Sequence, residues 1–366
     1  MKFNALTTLG TAAVLAASIA SVLASADAAP RIEKNNPLRV SVNALGNGQV
    51  EVVVTNISRK TARIPSWQLP SAADQSNLFA ISHDGEQVRY EGMLAKRGVP
   101  TAADFKILRP GQSDRAVIDL GVNYDLSKVG NYTVTYAAPL QYASMSGGNM
   151  LKQSNGSAMV AQAAPIRMWV DGMSAKRFLR QPPATSKGSA STTVVNGVTF
   201  SGCSATQTTQ AGQAVVDARG YTANAKGYLN AGTTGPRYTT WFGAYTSTRY
   251  STAKQHFTSI DTAMNQSGGQ IKINCACSGS EYAHVYANRP YEIFVCKAFW
   301  PAPAKGTDSK AGTLIHEMSH FTVVAGTNDW VYGQTAAKNL ANTNPDNALN
   351  NADNHEYFAE NNPAQN

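Results

Sequence analysis

The chain has 366 residues and a formal net charge of +8, and its length is sufficient for two domains. The excess of basic residues ends at Gly188: Lys and Arg outnumber Asp and Glu by 20 to 12 up to that position, and the remainder carries 11 of each. Because the basic residues are scattered and lack an interleaved aromatic pattern, they argue against a nucleic-acid-binding protein.

Residues 1–29 have the features of a secretory signal peptide. One early lysine precedes an apolar run of Ala, Leu and Val, and Ala26-Asp27-Ala28 matches an A-x-A cleavage pattern. The run is too short and too rich in Ala and Ser to form a stable membrane span, and no later stretch approaches that length. We therefore expect a secreted, extracellular protein with no membrane partner.

Residues 30–143 are predicted to form an all-β domain. The segments 38–42 and 50–55 read as strands around the hairpin-like turn Gly46-Asn47-Gly48, and further strands are predicted at 116–120 and 132–136. Short strands at this spacing predict an immunoglobulin-like sandwich. His83 stands alone in this region, so the domain offers no metal or nucleophile constellation.

Residues 144–198 are rich in Ser, Gly, Ala and Pro, and a flexible, cleavable linker is predicted there. The remaining segment, 199–366, is expected to be an α+β domain. Its helices are predicted at 211–229 (interrupted by Gly220 and Gly227), 246–264, 331–342 and 353–360, and its strands at 271–273, 283–286 and 291–295.

All four cysteines lie in the second half of the chain: Cys203, Cys275, Cys277 and Cys296. An even number of cysteines in an exported chain suggests disulfides. Cys275 and Cys277 are separated by one residue, so a bridge between them would be strained, which leaves two of the three possible connectivities. A Cys₄ zinc site is the competing interpretation.

The most informative stretch is His316-Glu317-Met318-Ser319-His320, an H-E-x-x-H sequence. Two imidazoles one helical turn apart project from one helix face and can reach a single Zn²⁺. Glu317 is placed to handle the protons of a zinc-activated water. Asp308 and Ser309 can cap the start of this helix, and Gly326 is suited to its end.

A catalytic zinc normally takes a third protein ligand. The metzincin continuation is excluded, because Val323 and Gly326 occupy the positions where it needs Gly and His. A gluzincin-type site would use Glu356 or Glu360 on a later helix, whereas Asp329 lies nearer, just after a glycine turn. The spacing alone leaves these alternatives open.

The continuation from the H-E-x-x-H motif, G-T-x-D-x-x-Y-G at 326–333, resembles the aspzincins, the deuterolysin family, and specifically their peptidyl-Lys metalloendopeptidase branch. The likeness runs from about Thr199 to the C-terminus and includes 236–243, 298–300 and 351–358. It implies one zinc ion held by His316, His320 and Asp329. It also implies Glu317 as general base, with Tyr332 assisting.

The resemblance further implies a zincin-like fold, mainly helical with a small antiparallel sheet whose edge strand can pair with an extended substrate. It favours the disulfides Cys203–Cys275 and Cys277–Cys296. Asp353 and Glu356, three residues apart on one helix face, would form the acidic end of the S1′ pocket, which receives the side chain on the carboxyl side of the cleaved bond. Cleavage would then fall on the amino side of lysine in protein or peptide substrates. His256 and His284 lack ligand spacing and are expected to be structural or exposed.

Position suggests a role for the all-β domain, because it stands between a signal peptide and a protease. We interpret it as a pro-domain that assists folding and acts as an intramolecular inhibitor until it is removed. Cleavage before Lys176 or Lys187 would separate the domains. The alternative is a permanent accessory or carbohydrate-binding module. For the whole protein, the alternatives are a broader deuterolysin-type or gluzincin-type endopeptidase and a non-catalytic zinc-binding exported protein.

Overall fold

The computed structural model describes residues 36–171 and 192–366. The predicted signal peptide and the linker lysines Lys176 and Lys187 lie outside these ranges. The first range contains twelve strands, in chain order β1 Leu38–Gly46, β2 Gln49–Asn56, β3 Ala62–Pro65, β4 Phe79–His83, β5 Glu86–Gln87, β6 Met93–Lys96, β7 Phe105–Leu108, β8 Ser113–Asp119, β9 Gly130–Pro139, β10 Ser144–Met145, β11 Val160–Gln162 and β12 Ile166–Val170.

These strands confirm a β-rich N-terminal domain. Val50, Val52 and Val54 of β2 are completely buried, as expected for a strand with one face toward a core. The β1–β2 hairpin turns at Asn47, whose φ of 48° is left-handed and lies between two glycines. An immunoglobulin-like sandwich is not confirmed, because the hydrogen bonds divide the strands among three small sheets, β1-β2-β8, β10-β3-β7 and β11-β9-β4-β5, with β12 on β9.

The predicted linker begins too early. Residues 144–171 contain β10, β11 and β12, and β12 pairs antiparallel with β9 from Ile166 opposite Val134 to Val170 opposite Gly130. Composition misleads here because the glycines of this segment, such as Gly147 and Gly156, occupy tight turns with positive φ between short strands.

The second range forms an α+β domain. Its elements are β13 Thr192–Val195, β14 Val198–Ser201, α1 Ala205–Asn230, α2 Pro236–Phe242, α3 Ser247–Met264, β15 Ile271–Asn274, β16 Ala283–Tyr286, β17 Glu292–Val295, α4 Lys310–His320, α5 Gln334–Thr343, α6 Pro345–Leu349 and α7 Ala352–Glu360. Within the described ranges, no helix combines the length and apolar character needed to cross a membrane.

The sheet of this domain is mixed, so the expectation of a small antiparallel sheet is wrong. Its strand order is β13-β14-β15-β17-β16, and the β14–β15 and β15–β17 pairs are parallel. The physical reason is the long crossover through α1, α2 and α3, which returns the chain to the same end of the sheet before β15 begins.

Two helix boundaries also differ from expectation. Helix α1 runs through Gly220 and Gly227 without a break, although each glycine costs about 1 kcal/mol relative to Ala. Burial of Ala211, Ala214, Val215, Ala218, Ala225 and Leu229 outweighs that cost. Helix α4 is capped by Ser309, whose hydroxyl accepts a hydrogen bond from Gly312 N, but it ends at His320, so Gly326 lies in the following loop.

Both disulfides are formed in the pairing that the resemblance implied. Cys203 bonds Cys275, and Cys277 bonds Cys296. The first bond joins the end of β14 to the end of β15, and the second joins the β15–β16 connection to the residue after β17. Because every cysteine sulfur is used, a Cys₄ zinc site is excluded.

One strand of the N-terminal domain belongs to the C-terminal sheet. β6 pairs antiparallel with the edge strand β16, with Lys96 opposite Ala283 and Met93 opposite Tyr286. The N-terminal domain therefore places a short extended segment along the edge strand that precedes the H-E-x-x-H helix.

Candidate active site

Helix α4 fixes the three residues of the motif. All of its residues are buried, and Leu314, Ile315 and Met318 pack it into the core between the sheet and the other helices. This packing fixes the direction in which the remaining face of the helix points. His316 and His320 lie there one turn apart, with ring centroids separated by 4.8 Å.

The loop after α4 brings Asp329 to the two histidines. It turns through Gly326, whose φ is 62°, and places Asp329 Oδ1 3.1 Å from His316 Nε2 and 3.4 Å from His320 Nε2. These three atoms are buried and have no hydrogen-bond partner. Buried polar atoms normally have partners, so three convergent ones fit a metal ion, and two imidazoles with one carboxylate suit zinc.

The Nδ1 atom of each of these histidines lies close to an oxygen atom on the side of the ring away from Asp329. His320 Nδ1 lies 2.9 Å from the carbonyl oxygen of Thr327, and His316 Nδ1 lies 2.8 Å from Asp353 Oδ1. Such outer contacts orient metal-binding imidazoles and favour the tautomer that presents Nε2 to the metal.

The gluzincin alternatives fit less well. Glu356 Oε2 lies 3.3 Å from His316 Nδ1, on the ring edge away from the Nε2 that faces Asp329. The carboxylate of Glu360 binds the start of α4 instead of the candidate metal site. Its Oε1 accepts hydrogen bonds from Ser309 N at 2.9 Å and from Ser309 Oγ at 2.7 Å. The geometry therefore favours Asp329 as the third ligand.

Glu317 and Tyr332 supply the groups suited to proton transfer and hydrogen-bond donation. Burial raises the pKa of Glu317 to about 7, and its Oε2 is buried without a partner. Burial also raises the pKa of Tyr332 well above its usual value, so its hydroxyl keeps its proton. The backbone of Tyr332 is held by the N-terminal domain, since its N–H donates to Gln141 Oε1 at 2.8 Å.

Asp353 and Glu356 form a closed acidic pocket behind His316. Both lie on α7 and are completely buried. The ammonium of Lys96 fills this pocket, with Nζ 3.1 Å from Asp353 Oδ1 and 2.8 Å from Glu356 Oε2. Asp308 Oδ1 lies 2.9 Å from the same nitrogen, and the Tyr357 hydroxyl lies 3.3 Å from it.

The backbone of β6 contacts the metal-site residues. Ala95 N donates to Asp329 Oδ2 at 2.8 Å, and Lys96 N donates to Glu317 Oε1 at 2.9 Å. Beyond it, Lys96 O accepts a hydrogen bond from Tyr282 N at 3.0 Å. The Ala95–Lys96 peptide bond consequently lies beside the carboxylates of Asp329 and Glu317.

All the residues proposed from the sequence for this site lie together: His316, Glu317, His320, Asp329, Tyr332, Asp353 and Glu356. The other histidines lie elsewhere: His83 near Tyr132, His256 beside His355, and His284 beside Glu281. Sequence reasoning missed Lys96 and Tyr357, and it treated Asp308 only as a helix cap. Their proximity depends on tertiary structure, and no local pattern indicates it.

Comparisons with known proteins indicate the family of this chain. The model of the aspzincin family, described as lysine-specific metallo-endopeptidase, matches residues 228–360. An extracellular protease of Aeromonas hydrophila is 39% identical over 355 residues, which is 96% of this chain and 99% of that protein. A peptidyl-Lys metalloendopeptidase of Grifola frondosa is 35% identical over 337 residues, covering 89% of this chain and 91% of its own.

A solved zinc peptidase structure from Grifola frondosa covers 45% of this chain and 100% of its own, at 48% identity and a TM-score of 0.43. The similarity to the Aeromonas protease extends over nearly the full length of both chains, and the family model spans the H-E-x-x-H helix, Asp329 and α7. The chain therefore belongs to the aspzincin family and is a zinc metalloendopeptidase.

Proposed function

We propose that the protein is a secreted proenzyme whose C-terminal domain hydrolyses peptide bonds on the amino side of lysine. The observation that carries this proposal is the placement of Lys96, which enters the acidic pocket while its own amide nitrogen contacts Glu317. This arrangement supports the assignment of the acidic pocket as S1′.

β6 has the features of a bound substrate. It is extended and adds to the sheet at β16, a mode in which main-chain hydrogen bonds hold any sequence and side-chain pockets give specificity. The Lys96 side chain is 1% exposed, and a buried ammonium is tolerated only when carboxylates pair with it. A pocket of this charge would leave its carboxylates unpaired if the incoming side chain were neutral, and that cost favours lysine.

The proposed chemistry assigns each residue a role. His316, His320 and Asp329 would hold the zinc ion, which would supply a water molecule of lowered pKa and a Lewis acid for the scissile carbonyl. Glu317 accepts the water's proton and delivers it to the leaving amine, and its Oε1 is already 2.9 Å from the amide nitrogen of Lys96. The Tyr332 hydroxyl donates a hydrogen bond to the developing oxyanion.

The same contacts support inhibition by the N-terminal domain. No substrate lysine can enter the pocket while Lys96 fills it, and β6 covers the edge of β16 that a substrate strand would use. Gln141 adds a contact to the backbone of Tyr332. The hydrogen bonds from β6 to Asp329 and Glu317 favour an inhibitory domain over an accessory or carbohydrate-binding module. Secretion is supported by the two disulfides and by the similarity to a protein named extracellular protease.

The test is a cleavage map of an unfolded protein digested by the matured enzyme, with the same protein after lysine acetylation as the matched substrate. We expect cuts almost only at Xaa-Lys bonds, and we expect acetylation to abolish them because it removes the charge. Glu317→Gln, purified identically, controls for contaminating proteases. Cuts without lysine preference would instead assign the broader deuterolysin-type specificity.

A further inference from the structure

We propose that Asp308 is a third carboxylate of the lysine pocket and determines specificity together with Asp353 and Glu356, and that Tyr357 positions it. This inference rests on the proposed function, since it concerns the same S1′ pocket. It extends the pocket from helix α7 to the residue before the cap of α4.

Three carboxylates lie within ion-pair distance of the ammonium. Lys96 Nζ lies 2.9 Å from Asp308 Oδ1, between the 2.8 Å to Glu356 and the 3.1 Å to Asp353. An ammonium group has three N–H donors, and here they donate to Asp308, Asp353 and the Tyr357 hydroxyl, while Glu356 adds a charge at close range. Acceptors converging on one nitrogen suit lysine better than the planar, wider guanidinium of arginine.

Asp308 differs from the other two carboxylates in its remaining contacts. Asp353 and Glu356 also lie within 3.3 Å of His316 Nδ1, so both serve the metal site as well as the ammonium. The Asp308 carboxylate contacts Lys96 Nζ and the hydroxyl of Tyr357. Its removal should therefore change lysine recognition and leave the metal ligands in place.

The local structure holds Asp308 toward the pocket. Its backbone has a φ of 52°, a left-handed conformation that Asp and Asn adopt more readily than most residues. Its N–H donates to Glu360 Oε2 at 3.3 Å, and Tyr357 OH donates to its Oδ1 at 2.6 Å. The Tyr357 ring lies 4.8 Å from Lys96 Nζ and packs on Trp241, so it contacts both the cation and its acceptor.

Exposure sets the strength of the contribution. The Asp308 side chain is 40% exposed, whereas those of Asp353 and Glu356 are 0% exposed. Solvent and salt screen an interaction at such a position more than one between buried groups. Asp308 should therefore provide a modest, salt-sensitive part of the selectivity, added to that of the buried pair.

The experiment uses Asp308→Asn in enzyme matured from the full-length chain, because Asn keeps the size and tolerates the left-handed backbone. Two peptides identical except for Lys or Met in P1′ are compared. We expect kcat/KM for the Lys peptide to fall about 3- to 10-fold, mainly through KM, with a smaller loss at about 1 M salt. The Met peptide and the zinc content should be unchanged. Asp346→Asn, an 80% exposed carboxylate on α6, is the matched control.

Tyr357→Phe tests the positioning role, since it keeps the ring and removes the hydroxyl. It should reduce the Lys-to-Met ratio in the same direction but by less. Because its hydroxyl contacts both the Asp308 carboxylate and the ammonium, the double variant should lose less than the sum of the two single losses. If Asp308→Asn does not fold, the ratio in Tyr357→Phe decides. Equal losses for both peptides, or no loss for the Lys peptide, would overturn the proposal. A wild-type enzyme without lysine preference would instead contradict the proposed function.

Discussion

The carboxylates of Asp353 and Glu356 lie between two nitrogen groups, the imidazole of His316 on one side and the ammonium of Lys96 on the other. One pair of side chains thus orients a candidate zinc ligand and binds the proposed specificity-determining lysine. Because outer contacts to a ligand affect metal binding, changes in this pair should alter both metal affinity and cleavage specificity.

At the residue scale, the ligand set can be decided by zinc content. Asp329→Ala should lose zinc, because it removes one of three converging ligand atoms. Glu356→Ala should retain more zinc than that variant, since it removes only an outer contact of His316, a change that typically lowers metal affinity about 10- to 100-fold. Metal content after dialysis against a weak chelator measures both. The reverse order, with zinc lost only from Glu356→Ala, would assign the gluzincin ligand set.

The residues that the sequence proposed for the metal site lie together in the structure, and their signal is local. His316, Glu317 and His320 are related by one helical turn, and Asp329 follows within a short loop. Lys96 and Asp308 could not be found in this way. Lys96 lies 257 residues from Asp353 in the chain, and its role depends on how two domains pack.

At the element scale, α3 and α7 are joined by a histidine pair that the site does not use. His256 Nδ1 lies 3.0 Å from His355 Nε2, and His355 Nδ1 lies 3.0 Å from the carbonyl oxygen of Asn351. Burial lowers the pKa of His256 to about 4, and burial together with the neighbouring histidine lowers that of His355 to about 3. Both imidazoles are therefore neutral in the folded protein at neutral pH.

This pair predicts acid destabilisation. Below about pH 6.5 the unfolded chain binds protons that the folded pair does not accept, so the free energy of unfolding falls as pH falls toward 4, by up to about 1.4 kcal/mol per pH unit for each histidine. His256→Asn should reduce that slope by up to about one proton. Denaturant unfolding of the inactive Glu317→Gln chain between pH 7.5 and 4 measures it, with the exposed neighbour Gln255→Ala as control. An unchanged slope in His256→Asn would contradict the assignment.

The elements were predictable where a periodic pattern coincides with packing. The hairpin of β1 and β2, helix α3 and helix α7 lie close to their predicted positions. The errors arise where distant contacts override local composition: α1 continues through Gly220 and Gly227, and residues 144–171 form strands on the N-terminal domain. The parallel pairing of β15 likewise depends on a crossover that strand patterns alone do not reveal.

At the scale of the whole molecule, the two domains share one sheet and one pocket. The strand β6 extends the C-terminal sheet, and Ser280 Oγ and Asn288 Nδ2 add hydrogen bonds to Asp104 and Glu91 of the N-terminal domain. Removal of the N-terminal domain would expose the edge of β16 and the acidic pocket together. Activation of the proposed proenzyme would thus require loss of these contacts as well as cutting of the chain.

Lys96 provides the test of this arrangement. In the docked state its ammonium contacts three carboxylates, and Lys96→Met keeps a similar length but removes that positive charge from among them. Breaking a buried charge pair on one side costs about 2–5 kcal/mol, so docking of the N-terminal domain should weaken by about 30-fold or more. The intact chain should then cleave a small Lys peptide faster than the wild-type proenzyme, and its lag before full activity should shorten.

Lys128→Met is the control. Lys128 is an exposed lysine of the same domain, paired only at the surface with Glu86, and its replacement should keep the wild-type lag. A Lys96→Met chain as inactive as the wild-type proenzyme would mean that β6 pairing and the other domain contacts suffice to block the site.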